Sequence, residues 1–249
     1  MKNNIIRTAI ISFITISMFS SCKKDETPVS TEEMLSFHLH RNIGTAEAQY
    51  GVEYQTAGGR KFTVEDYRFY ISNIVLIKQD GSTYPLTGKV ILAGPASMEY
   101  ELGKVPVGNY KGFTFMMGLD SATNHTDPAI YSSGNPLSVQ TPSIHWDWNS
   151  GYIFFKVEGK VDTTLAANGT ADYDYLYHIG MDDLKRTIDF STGAFSVTSG
   201  SSQEIHLEFD LLEALSNVDM RTENLTHTMD NFPLADKIAN NWQSAWSLE

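Results

Sequence analysis

The sequence predicts an all-β protein, a single β-sandwich domain with a short C-terminal helix. Three observations carry this. Apolar residues alternate with polar ones at period two through most of the chain, as in Leu35, Phe37 and Leu39 against Ser36, His38 and His40. The runs are short and are joined by Gly, Pro, Asn and Asp, the residues that turn a chain back on itself. Only near the end does the period lengthen: Leu234, Ile238, Trp242 and Ala245/Trp246 recur at helical spacing.

Residues 1–21 read as an address. Lys2 and Arg7 form a basic start, and residues 8–19 are apolar but too few to span a bilayer. Ser20 and Ser21 then precede Cys22, the only cysteine of the chain. This is a lipoprotein-type signal, with Cys22 as the lipid attachment point and the new N-terminus. A mature domain without cysteine has no disulfide and no thiolate metal site. Residues 22–33 are polar, contain Pro28, and read as a flexible tether. The residue after Cys22 is Lys23 rather than the aspartate that often retains such proteins at the inner membrane. An outer-membrane lipoprotein is expected, facing the periplasm or the cell surface.

Residues 34–249 suffice for one sizeable domain. The chain carries a net charge of −12, and the signal holds two of its cations and none of its acids. A domain this acidic repels nucleic acid and anionic lipid, so only a lipid would hold it at a membrane.

The strands follow in order. Residues 67–78 form a long strand running into Asp80-Gly81, a strong hairpin signal. Residues 90–93 and 110–117 are further strands, the second entered through the turn at 106–109. Residues 153–157, 173–179, 195–198 and 205–211 complete the set. Residues 212–217 read as one helical turn, and Pro233 suits the first turn of the final helix. Trp242 and Trp246 are expected to anchor that helix on the sandwich.

No catalytic signature is present. There is no Gly-x-Ser-x-Gly, His-Glu-x-x-His, P-loop or dinucleotide-binding fingerprint, and Glu158 with Asp174 is a weak carboxylate pair among thirty acids. The chain is read as a non-enzyme. Its histidines say more. His38 and His40 share one strand face, about 7 Å apart. His178 ends a strand just before Gly180. His145 sits in Ser143-Ile-His-Trp-Asp-Trp-Asn-Ser-Gly, with Ile144, Trp146 and Trp148 on the opposite face. His206 falls on a polar face with Glu208 and Asp210 and is expected to be solvated; His125 and His227 fall in loops. A histidine-only site suits zinc, copper, nickel or iron. The loop 120–127 offers oxygen ligands for calcium, though turns stabilised by Asx bonds explain it as well.

Several stretches together resemble a known family. They are the run Tyr70-Ile-Ser-Asn, then Val105-Pro-Val-Gly-Asn-Tyr, then Trp146-Asp-Trp-Asn-Ser-Gly-Tyr and Tyr177-His-Ile-Gly, in this order. The chain resembles the MbnP-like copper-binding family, common as lipoproteins in Bacteroidota, over about residues 35–246. The resemblance implies a β-sandwich with a histidine-ligated copper, and a tryptophan near the metal that a di-haem peroxidase-like partner oxidises in some members. It maps the ligands onto His40 and His178, with His38 and His145 as alternates. Trp146 and Trp148 match the tryptophan pair; His145 stands where an aromatic residue is more usual. The expectation is that His40 and His178 converge beside one of these tryptophans, in a protein for copper acquisition or handling. A rival reading is a surface adhesion or glycan-binding module whose platform is Trp146, Trp148, Tyr173, Tyr175 and Tyr177. A third is a structural lipoprotein without a ligand.

Overall fold

The computed structural model describes residues 30–147 and 151–249. Cys22 and the whole signal lie outside these residues, as does Trp148. Along the chain, β1 (Glu32–Ile43) is followed by a two-residue return, β2 (Ala46–Glu47). A hairpin of β3 (Glu53–Gln55) and β4 (Lys61–Thr63) leads to the longest strand, β5 (Asp66–Lys78). Then come β6 (Thr83–Pro85), β7 (Ile91–Ala93), β8 (Glu99–Pro106) and β9 (Gly108–Met117). After a helical turn α1 (Ser121–Asn124), the chain forms β10 (His145–Trp146), β11 (Gly151–Val161), β12 (Tyr173–Gly180), β13 (Arg186–Phe190) and β14 (Phe195–Val197). The last elements are β15 (Gln203–Asp210), α2 (Leu211–Ala214), β16 (Leu225–Thr226), α3 (Phe232–Ala245) and β17 (Trp246–Leu248).

The described strands make two sheets, one of five and one of twelve. The small sheet runs β17-β15-β1-β2, with β8 also on β1; the spine of the large one is β13-β9-β5-β11-β12-β16. This is the expected β-sandwich with a C-terminal helix. The first strand begins at Glu32, so Glu32 and Glu33 belong to the sheet rather than to the tether.

The core is aromatic. Phe37 of β1 packs on Phe113 of β9 at 5.5 Å between ring centres, and Phe209 of β15 on Phe69 of β5 at 4.9 Å. Alternation then fixes the two outer walls. With Phe37 and Leu39 turned inward, His38 and His40 stand on the outside of the small sheet. With Tyr177 and Ile179 inward, His178 stands on the outside of the large one. Helix α3 is capped by Asn231, has Pro233 in its first turn, and buries Leu234, Ile238 and Trp242 on one stripe. Trp242 meets Phe155 of β11 at 5.7 Å. None of the helices among the described residues is long and apolar enough to cross a membrane.

Candidate metal centre

The outer wall of the small sheet gathers three imidazoles. β1 and β15 pair in parallel, in a register that sets His38 beside His206 and His40 beside Glu208. The rings of His38 and His40 are 4.6 Å apart, and those of His38 and His206 stack at 4.8 Å. One nitrogen from each of the three rings lies within 4.8 Å of the others. His206, expected to be solvated and outside the site, is therefore part of it, although its ring is the most open of the three.

Four carboxylates surround the rings. β8 pairs antiparallel with β1 and sets Glu99 opposite His38, where its Oε1 contacts His38 Nδ1. Glu204 Oε1 lies 3.0 Å from His206 Nε2 and 3.7 Å from His38 Nδ1. Glu47, from β2, reaches His40 Nδ1 at 3.4 Å. Glu249, just past β17, reaches His40 Nε2 at 3.5 Å and His206 Nδ1 at 3.4 Å. Among the described residues these four acids have ion pairs only with the imidazoles, none with lysine or arginine. Three imidazoles within reach of one ion, each with a carboxylate beside it, fit a copper or zinc ion.

His178 lies elsewhere, so the expected meeting of His40 with His178 does not occur. The two histidines stand on the outer walls of different sheets, with the aromatic core between. His178 Nε2 faces Glu158 Oε1 at 2.6 Å. Burial pushes the His178 pKa down and outweighs the pull of Glu158, so the ring is neutral. The His178 hydrogen bond, helped by Lys156, holds Glu158 at about 2. A neutral ring donating from Nε2 keeps its lone pair on Nδ1. The His227 ring stands edge-on to His178 at 5.1 Å, with its Nδ1 on Asp230 at 2.9 Å. Beneath Glu158, Lys156 bridges to Asp66 at 3.1 Å, and Asp66 holds Arg68 at 2.7 Å.

Trp146 is buried and belongs to the His178 side. A Cβ on Gly180 would meet its ring at 2.6 Å, so the indole lies flush against the end of β12, in the large sheet rather than the sheet that carries the three histidines. His145 points away from Trp146 into a cavity of about 400 Å³ shared with His125, Asp127, Asp147 and Tyr152. Its Nε2 is buried without a hydrogen-bond partner, and burial lowers its pKa. No group of three ligands forms around it among the described residues. In the loop 120–127, Asp120 caps α1 through Thr123 at 3.0 Å and Asp127 caps the next turn through Ala129 at 2.9 Å. These are the Asx bonds that compete with the calcium reading. Among the described residues the aromatic platform is not formed: Trp146, Tyr175 and Tyr177 are core residues and Tyr173 is exposed, while Trp148 lies outside the described residues.

Comparison with known proteins agrees with this architecture. Among solved structures the chain is similar to MbnP from Methylosinus trichosporium, at 16% identity and a TM-score of 0.50, over 75% of this chain and 78% of that one. No curated protein matches the sequence. The MbnP family model matches residues 32–230, from the first residue of β1 to the loop before α3, and the chain belongs to the MbnP family.

Proposed function

We propose that the protein binds copper on the outer wall of its small sheet, through His38, His40 and His206, and serves in copper acquisition or handling without turnover. The observation that carries this is the convergence of three imidazoles within 4.8 Å. Membership of the MbnP family supports a copper-related role. The metal supplies a soft cation that accepts imidazole lone pairs; the protein supplies orientation. Glu47, Glu99, Glu204 and Glu249 line the rings and add negative charge beside the ion. In this reading Cys22 carries a lipid at the outer membrane, the domain faces the periplasm or the surface, and the partner is a di-haem peroxidase-like protein.

A second reading places the copper at His178 and His227. Two observations favour it: each ring is already oriented by a carboxylate, and Trp146 lies against the same strand end. The two readings separate in one experiment. Protein produced from the full sequence is titrated anaerobically with Cu(I) against a chromophoric chelator, as wild type and as His38→Ala, His40→Ala, His206→Ala, His178→Ala and His227→Ala. Loss of tight binding in the first three variants alone supports the small-sheet site. Loss in the last two alone moves the site to the other wall. A wild type that binds no copper ends both readings.

A further inference from the structure

We propose that Glu99 and Glu204 make the three-histidine site competent for Cu(II) as well as Cu(I). The inference rests on the reading that copper binds His38, His40 and His206, and extends it to the oxidation states the site accepts.

The two ions ask for different donors. Cu(I) is served by two or three soft ligands at low coordination number, whereas Cu(II) takes a tetragonal set of nitrogen and oxygen. Imidazoles alone would favour the first. This wall offers oxygen at the right place for the second. His38, Glu99 and Glu204 form a group of their own whose ligand atoms all lie within 4.8 Å of one another, so His38 is common to the all-nitrogen and the mixed set. Glu204 Oε1 stands between two of the rings, 3.0 Å from His206 and 3.7 Å from His38. Glu99 touches His38 from the opposite side of β1. An ion at His38 has both oxygens within the same 4.8 Å reach.

Charge argues the same way. Cu(II) brings one more positive charge than Cu(I), and the adjacent carboxylates favour that extra charge. No lysine or arginine among the described residues pairs with Glu99 or Glu204 to cancel it. Glu47 and Glu249 face His40 and His206 from the other edge and act as positioning residues for either ion.

The test measures the two ions separately on the protein from the full sequence. Cu(I) affinity is read anaerobically against a chelator; Cu(II) affinity is read by competition, with electron paramagnetic resonance reporting oxygen in the equatorial set. The variants are Glu99→Gln with Glu204→Gln, and Glu101→Gln on the same strand as a control that touches no histidine. The double variant should bind Cu(II) roughly 10–100-fold more weakly while the Cu(I) constant holds. At 59 mV per tenfold, that raises the Cu(II)/Cu(I) potential by about 60–120 mV. An unchanged Cu(II) constant overturns the inference. So does an equal loss for both ions, which would make the carboxylates supports for the rings. An unchanged Cu(I) constant alongside an unchanged Cu(II) constant leaves the three-histidine reading standing. A wild type that binds neither ion removes that reading, and the inference with it.

Discussion

Trp242→Ala tests whether α3 is part of the sandwich or an element held ready for a partner. The side chain is fully buried and packs on Phe155 of the large sheet. A buried tryptophan removes roughly 150–250 Å² from water, which at about 25 cal/mol per Å² corresponds to roughly 4–6 kcal/mol as an upper bound. Truncation of such a residue typically costs about 3–5 kcal/mol once relaxation is included. Its Nε1 is buried without a hydrogen-bond partner, so alanine also removes an unsatisfied donor, and the expected loss falls near the lower end, about 3 kcal/mol. For a domain of this size that lowers the melting temperature by roughly 6–12 °C. Trp242→Phe keeps most of the apolar volume, loses only the unpaired donor, and should cost less than about 1.5 kcal/mol. Urea unfolding of the metal-free protein, followed by circular dichroism, measures both. A loss below about 1 kcal/mol for alanine, or equal losses for alanine and phenylalanine, would refute the packing argument and make α3 a detachable helix.

The other expectations concern pH and processing. Glu158 titrates at about 2 in the folded protein against an ordinary 4.5, so the stability it contributes is present above about 4.5 and is lost as pH falls through about 2. Because Glu158 is one-third exposed, the contribution is discounted to roughly 1–2 kcal/mol. His178, held neutral by burial, acts in the same direction, since acid must charge it. The stability difference between wild type and Glu158→Gln should therefore shrink as pH falls from about 5 to about 2.5 in urea titrations; a difference independent of pH would sink the assignment. For processing, Cys22→Ser should move the protein from the membrane fraction to the soluble fraction. A wild type that is soluble with its mature N-terminus elsewhere would defeat the lipoprotein reading.

Period-two alternation and the late switch to helical spacing are properties of neighbouring residues, so the sequence by itself determined the sandwich, the inward stripe of Leu35, Phe37 and Leu39, and the helix anchored by Trp242. The same local rule put His38 and His40 on one outward face. It also separated His145 from Trp146, which the structure keeps on opposite sides of their strand. The family's run of motifs was legible too, because it needs only order along the chain.

Which histidines meet was decided by pairing between strands far apart in sequence. His206 looked like one more solvated ring on a polar face, and on its own strand it is. It enters the site because β15 lies parallel to β1 in a register that matches His206 to His38, and no local signal specifies that partner. Glu99 arrives the same way, from β8 on the other flank. The family resemblance makes His40 and His178 partners by mapping the ligands onto them. The tertiary structure puts their strands in different sheets, and two packed sheets have two outer walls with the apolar core between them. Outward-facing residues of opposite sheets cannot touch, so the sequence could name the ligand types while only the stacking of the sheets could say which of them share a wall.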